Sequence, residues 1–327
     1  MSSNGKEVAL IIGASRGIGR QVAIDLAKNG YFVVVSAKTT SDASTIPASE
    51  FPPNPNSQAS TINTVAREIT EAGNSCVALP VNTRDHASIQ KLVDDVVSKL
   101  GRIDVLIYNS GAIWWSAVET TPLKRFKLMQ EVNAEGLYST LQSTLPIFAS
   151  QSQPNRARII VVSPPIYSRF IHGKTAYAMS KLAMTILTLG LAKDIQRRHH
   201  PNMSITSIWP AVAITSAATE LNAQVQAAGM DSSTDKRRGL RRPEIFSDAI
   251  LALLRAPAES VNGRVVLDED YLRSDWGYVD ADFERYSVVR GSVPRRIMPR
   301  VFPSLEVEEQ DEEGVRMDSV VMRGGKL

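Results

Sequence analysis

The chain has 327 residues, of which 43% are hydrophobic and 22% charged, with a formal net charge of +3. That composition belongs to a globular protein long enough to bury a large core, and the charge is too small to argue for a nucleic-acid partner. The single cysteine, Cys76, excludes an internal disulfide framework and a multi-thiolate metal site, and the four histidines lack zinc spacing. No apolar run approaches a membrane span and the polar start is no secretory signal, so a soluble intracellular protein is expected.

Apolar runs at Val8–Ile12, Phe32–Ser36, Val77–Val81, Val105–Asn109, Arg158–Ser163, Ser204–Trp209 and Arg264–Leu267 read as strands, with helical segments between them. Their alternation predicts an α/β fold: a doubly wound, mostly seven-stranded parallel sheet of the Rossmann kind with helices on both faces. Two stretches break the pattern. Thr40–Ser60 is rich in Pro, Ser and Asn and reads as a long loop before a helix around Thr61–Ala72. After Leu267 the alternation fades, and the acidic run Glu306–Glu313 reads as a solvated, mobile tail. The basic cluster Asp235–Glu244 reads as a solvated face ahead of a helix opening near Pro243; attraction of an anionic substrate group is the other reading.

Ligands of open parallel sheets bind beyond the carboxyl ends of the strands, so the strand ends carry the candidate chemistry. GASRGIG, Gly13 to Gly19, lies where the first strand turns into a helix. Gly13 permits a tight turn, Gly17 lets the backbone approach a pyrophosphate, and Gly19 lets the helix pack on the strand. The amides of the helix start then face an anion, with Ser15, Arg16 and Ile18 completing the candidate cofactor loop. The spacing is G-x-x-x-G-x-G rather than G-x-G-x-x-G, and a glycine turn without a ligand is the alternative.

The second strand ends in VVVSAKTT, with no carboxylate before Asp42 to bind ribose hydroxyls. Lys38, with Arg16 from the loop, would attract a 2′-phosphate instead, so NADP(H) is expected over NAD(H). In TAYAMSKLAM, Lys181 follows Tyr177 by four residues, one helical turn away on the same face. An ammonium there is expected to lower the phenol's pKa toward useful proton transfer, and Lys181 would also hold the nicotinamide ribose. Such a pair arises readily by chance; its position after a strand ending in Ser163 gives it weight.

Together these residues resemble the short-chain dehydrogenase/reductase family over roughly Lys6 to Leu267. YNSGA is similar to the family's Asn-Asn-Ala-Gly turn and supplies Asn109 and Gly111. Asn133, in EVNAEGLY, falls on the family's helical asparagine, whose backbone carbonyl holds a water in the proton relay. WPAVAITSA matches the segment in which Ala213 and Thr215 would contact the cofactor. The resemblance therefore implies a catalytic set of Tyr177, Lys181, Ser163 and Asn133, and a dinucleotide-binding catalytic domain over residues 1–270 followed by an extension over 271–327.

Three positions depart from the family pattern. Asn82 stands where the family generally has an Asp bonding the adenine amine, a bond an amide oxygen can also accept. Ala211 replaces the glycine after Pro210. The family's substrate-orienting serine register, thirteen residues before the tyrosine, holds Pro164; Ser163 takes that role if the loop is one residue longer, with Tyr167 or Ser168 as substitutes. Losing such an oxyanion donor typically costs about 10²–10³ in rate.

The Ser-Pro-Pro stretch, the AKT strand ending, the Pro-rich loop, SIWPAVAIT and LDEDYL narrow the resemblance to the hydroxysteroid dehydrogenase-like branch, whose longer members carry a sterol-carrier domain. No such domain is expected here, and Gly325-Lys326-Leu327 lies near the peroxisomal Ser-Lys-Leu address, so a cytoplasmic or peroxisomal location is expected. Trp114 and Trp115 border the site, where an indole facing the cleft favours a flat or greasy substrate; Ser216–Leu240 is where this fold places a substrate lid. The expected function is an NADP(H)-dependent oxidoreductase that interconverts a small-molecule carbonyl and a secondary alcohol, with Tyr177 as proton donor or acceptor. The resemblance also implies a homo-oligomer, since the family commonly associates through the helices after the fourth and fifth strands. A non-catalytic NADP-binding protein and a carbon–carbon double-bond reductase are the alternatives.

Overall fold

The computed structural model of the chain describes residues 3–151, 157–167, 171, 174–198, 200, 202–210, 240–296, 298–299 and 301–303. In chain order the main elements are β1 (Val8–Ile12), α1 (Gly17–Lys28), β2 (Phe32–Ser36), α2 (Ile62–Glu71), β3 (Cys76–Ala78), α3 (His86–Leu100), β4 (Val105–Tyr108), α4 (Leu123–Met129), α5 (Gly136–Ser150), β5 (Ala157–Val162), α6 (Thr175–Arg197), β6 (Met203–Trp209), α7 (Glu244–Arg255), α8 (Ala258–Val261), β7 (Val265–Leu267) and α9 (Asp268–Trp276). The seven strands form one sheet in the order β3-β2-β1-β4-β5-β6-β7, and every pairing is parallel. The sheet is the expected one, with strand ends within a few residues of those read from the sequence.

The strands β1 and β4 at the centre of the sheet are buried at every position because helices cover both faces. In β1, Ala9 and Ile11 pack with Val22 and Leu26 of α1 and Ile250 and Leu253 of α7. Val8, Leu10 and Ile12 turn to the other face, toward Val93 of α3, Leu141 of α5 and Met184 of α6. Alternate side chains of one strand thus feed two cores. Helix α6 is long and apolar enough by composition to span a membrane. Packing accounts for part of its apolar character: Met184, Leu191 and Ile195 lie in the second core, and Ala176 and Tyr177 lie in a smaller cluster at the cleft, while Met179 and Ile186 are exposed.

The order reverses at β1 and β4, so the connections leave the carboxyl ends of these neighbours in opposite directions and open a crevice there. The Thr40–Ser60 loop borders that crevice. It contains two short turns, Ala43–Thr45 and Ala48–Glu50, tied to α2 by Arg67. The Arg67 guanidinium donates to Ala43 O at 2.9 Å and Ile46 O at 3.0 Å, and lies 4.0 Å over the Phe51 ring. Thr61 and Thr64 form a reciprocal cap that starts α2.

The apolar core continues past residue 270. Tyr271, Leu272, Phe283 and Tyr286 belong to the core that holds Ile245 and Phe246 of α7. The solvated face expected at Asp235–Glu244 is corrected at Arg241, which is fully buried. A guanidinium without water requires a partner, and Arg241 pairs with Glu269, which also binds Arg273 at 3.1 Å. Residues 211–239, which take in nearly all of the expected lid and the start of the basic cluster, and the Glu306–Glu313 run lie outside the described residues.

Candidate active site

The glycine loop leaves β1 at the crevice. Gly13 has a positive φ of 92°, and a Cβ there would come 2.5 Å from Ser110 N. Gly17, at φ 57°, opens α1, and any side chain at Gly19 would overlap the Gly13 carbonyl oxygen. Asn109, at the end of β4, donates its side-chain amide to Gly13 O at 2.8 Å and its backbone amide to Ile12 O at 2.9 Å. The two turns on either side of the crevice are thereby locked together. The Pro-rich loop adds contacts absent from the sequence reading: Gly17 N–H donates to Pro55 O at 2.9 Å, and Ser60 Oγ donates to Ser15 O at 2.7 Å. One amide of the helix start is thus already taken by a carbonyl.

At the outer end of the crevice, Arg16 reaches Thr39 Oγ1 at 3.4 Å, and Lys38 is exposed. Asp42 turns away, accepting from Ser44 N at 3.0 Å and from Ser44 Oγ at 2.6 Å. These bonds lower its carboxyl pKa and keep it anionic within its own turn. The Asn82 side-chain oxygen faces Arg84 N at 3.4 Å in the turn before α3.

Deeper in the cleft, Lys181, Asn133 and Gly111 come together, and Tyr177, one turn before Lys181 on α6, packs in the cluster that Ala112 joins. Lys181 is 3% exposed and donates from Nζ to Val162 O at 2.8 Å, with Nζ 5.6 Å from the Trp209 ring. A Cβ on Gly111 would lie 3.3 Å from Lys181 Nζ and 3.5 Å from Asn133 Oδ1, so a side chain there would crowd the lysine. Asn133 sits in a π-helical stretch, Gln130–Glu135, between α4 and α5. Its Oδ1 accepts from Ala112 N at 2.7 Å, while Nδ2 donates to Ala112 O at 3.0 Å and Ser180 Oγ at 2.8 Å. A π-turn shifts the backbone register within a helix and recurs at functional sites. Here it brings one asparagine against both the β4 turn and α6.

Burial governs the charges. It lowers the Lys181 pKa to about 7 and raises that of the Tyr177 phenol. The expected lowering of the Tyr177 pKa is therefore corrected. Both groups have lost their water, and an ammonium that titrates near neutrality offers only part of a charge to its neighbour.

The second correction concerns Ser163. It is fully buried, and its hydroxyl lies 2.8 Å from Ser207 Oγ and accepts from Thr185 Oγ1 at 3.0 Å. Ser207 Oγ also donates to Ser163 O at 2.7 Å. This hydroxyl trio clamps β5, β6 and α6 beneath the cleft floor, so Ser163 is not presented to a substrate. Pro164 holds the next position with no donor of its own. Tyr167 does border the cleft, packed against the cluster of Met129, Ala176, Tyr177 and Ala178. Ser168, Ala213 and Thr215 lie outside the described residues.

Trp115 is 47% exposed and meets the Tyr177 ring edge-on, centroids 6.3 Å apart, with Lys174 Nζ 5.1 Å from its ring. Trp114 packs against the same cluster, and Arg125 lies 4.5 Å over its ring. Pro55, Ser60, Ser180 and Trp209 are site residues that sequence reasoning missed. Only the length and composition of the Pro-rich loop pointed toward the first two.

The profile of the short chain dehydrogenase family matches residues 7–52 and 55–226 of the chain. This chain belongs to the short-chain dehydrogenase family. It is 32% identical over 283 residues to hydroxysteroid dehydrogenase-like protein 2 of Danio rerio, covering 86% of this chain and 60% of that protein. The same-named protein of Rattus norvegicus is 30% identical, over 92% of this chain and 52% of its own length. The chain thus spans little more than half of these relatives. A crystal structure of a short chain dehydrogenase from Mycobacterium thermoresistibile is 29% identical and superposes with a TM-score of 0.69, covering 89% of this chain and 94% of that one. Membership supports an oxidoreductase that binds a nicotinamide cofactor and acts on small molecules.

Proposed function

We propose that the chain is an NADP(H)-dependent oxidoreductase interconverting a carbonyl and a secondary alcohol. The observation that carries this reading is the convergence of Lys181, Asn133 and the Gly111 turn beyond the carboxyl ends of β4 and β5, with Tyr177 one turn before Lys181 on α6 and packed in the cluster that Ala112 joins. The crevice fits a dinucleotide: its turns carry glycine where Cβ atoms would collide, and Asp42, the first carboxylate after β2, is held by Ser44. Gly13, Ser15, Arg16, Gly17, Ile18, Gly19, Asn82, Asn109 and Gly111 would line the cofactor, and Arg16 and Lys38 would take a 2′-phosphate. When bound, the nicotinamide supplies or accepts the hydride.

The remaining chemistry belongs to the chain. Tyr177, kept protonated by burial, donates its phenolic proton to the carbonyl oxygen during reduction. Lys181, fixed on Val162 O, stabilises the phenolate left behind through its remaining N–H groups. Asn133 holds the floor of the relay by bridging the β4 turn and α6. Trp115 gives the substrate end an aromatic wall, which suits a flat or apolar carbonyl compound. Cytoplasm or peroxisome and a homo-oligomeric state complete the proposal; Tyr138 of α5 and Met179 and Ile186 of α6 expose apolar surface suited to self-association.

The withdrawal of Ser163 from the cleft favours a second reading, a protein that binds NADP without turnover. One experiment separates them: consumption of NADPH and of NADH with a panel of ketones and acyl carbonyls, in the parent and in Tyr177→Phe, beside direct NADPH binding. Loss of the phenol is expected to reduce turnover by about 10²–10⁴ while NADPH still binds. Binding with no turnover in the parent establishes the second reading, and no binding at all removes both.

A further inference from the structure

Chain beyond β7 returns to the substrate side of the cleft. Tyr167, in the loop after β5, packs on the cluster that contains Tyr177. Its hydroxyl donates to Met298 Sδ at 3.5 Å, and its ring meets Phe302 edge-on, with centroids 5.4 Å apart and planes at 85°. Phe302 in turn lines a recess with Pro165, Val266, Leu267 and Tyr271. The ring is therefore held between the loop after β5 and the β7–α9 corner.

This return is anchored by one guanidinium. Arg296 grips both carboxylate oxygens of Asp270 at the start of α9, with Nη2–Oδ2 at 3.0 Å. It also donates from Nε to Met298 O at 3.0 Å and from Nη2 to Pro299 O. A planar fork that binds a carboxylate bidentately and two carbonyls fixes the path of the segment it spans. Asp270 lies in the first turn of α9, which follows directly on β7, so the anchor ties the segment to the rigid sheet.

We propose that Met298 and Phe302, acting through Tyr167, form the outer wall of the substrate cleft and select ketones by the apolar or aromatic substituent beside the carbonyl. This rests on the carbonyl-reduction reading and extends it. Trp115 meets the Tyr177 ring and Tyr167 packs on the cluster that holds it, so with the carbonyl at Tyr177 these two rings border the space for the substituent. The position of the Tyr167 ring then sets how bulky that substituent can be. Phe302 and Arg296 are positioning residues, since they reach the substrate only through Tyr167.

The test uses the full chain as parent, Phe302→Ala, Phe302→Tyr and Arg296→Gln. Initial rates of NADPH oxidation are measured with 2-butanone, acetophenone and 2-acetylnaphthalene, and calorimetry measures binding of the same ketones to the NADP⁺-saturated protein. Phe302→Ala is expected to shift the naphthyl-to-butanone ratio of kcat/KM at least about fivefold, through KM, with NADPH affinity within about twofold of the parent. Phe302→Tyr, which keeps the ring, retains the parent ratio. Arg296→Gln leaves the ring in place and removes its anchor, so it shifts the ratio the same way and decides the matter if Phe302→Ala does not fold. Ratios within about twofold of the parent in Phe302→Ala and Arg296→Gln, by rate and by binding, overturn the wall. Ketone binding without NADPH consumption defeats the reduction reading alone, and the binding ratios then judge the wall. A parent that neither binds nor reduces any ketone defeats both.

Discussion

Lys181 is an ammonium held in a dry cleft, and its pKa of about 7 has two consequences. Its charged fraction falls as pH rises through about 7, so kcat/KM for reduction is expected to decline above neutrality while the phenol stays protonated. A pH–rate profile checks this; a flat profile from pH 6 to 9 would remove Lys181 from the charge-stabilising role. Folding carries the opposite sign. The folded pKa lies below the unfolded value of about 10.4, so the unfolded chain binds more protons in between and stability rises with pH across about 7 to 10. Urea midpoints at pH 6.5 and 8.5 should show the rise in the parent and lose part of it in Lys181→Met. Ser163 makes a different point. It stands one residue outside the expected register with Tyr177 and would be a substrate donor only if the intervening loop were one residue longer, and its bonds to Ser207 and Thr185 are interior. Ser163→Ala should cost stability, about 1–3 kcal/mol for stranded hydroxyls, and leave KM for a ketone nearly unchanged. A large KM increase at unaltered stability would return Ser163 to the cleft.

Among the elements, the Pro-rich loop departs most from what its composition suggests. Proline and serine forecast a loop, which it is, but nothing local forecasts that Pro55 and Ser60 reach the glycine loop. That docking depends on Arg67, a side chain on the following helix, meeting two carbonyls and the Phe51 ring. Ser60→Ala removes the bond to Ser15 O and should weaken NADPH binding about fivefold, the equivalent of one hydrogen bond of about 1 kcal/mol. Fluorescence titration with NADPH measures it, and unchanged affinity would make the loop a bystander. The helix bearing Tyr177 was easier to read. The four-residue spacing of Tyr177 and Lys181 is a property of any helix, so their common face was legible; their shared desolvation was not, because burial is set by other elements.

Across the whole molecule, the part beyond residue 270 is joined to the rest through Arg241, which pairs with Glu269, donates to Arg295 O and forms a β-bridge with Ser287, and through the buried rings of Tyr271, Phe283 and Tyr286. Arg241→Ala leaves Glu269 short of a partner in the interior and should cost about 3–5 kcal/mol, seen as a lower denaturant midpoint. A change under about 1 kcal/mol would mean that the pair is dispensable. The seven parallel strands, the glycine turn at β1, the place of the crevice and the Tyr177–Lys181 pair were determined by the sequence itself. Each rests on local periodicity or on a backbone conformation that only glycine tolerates. What the tertiary structure alone decided was the direction of the Tyr177 and Lys181 pKa values, the withdrawal of Ser163 into a hydroxyl trio, the burial of Arg241 and the return of Phe302 to Tyr167. All four depend on which distant segments exclude water from a side chain, and that exclusion is a property of the packed molecule, not of any stretch of its chain.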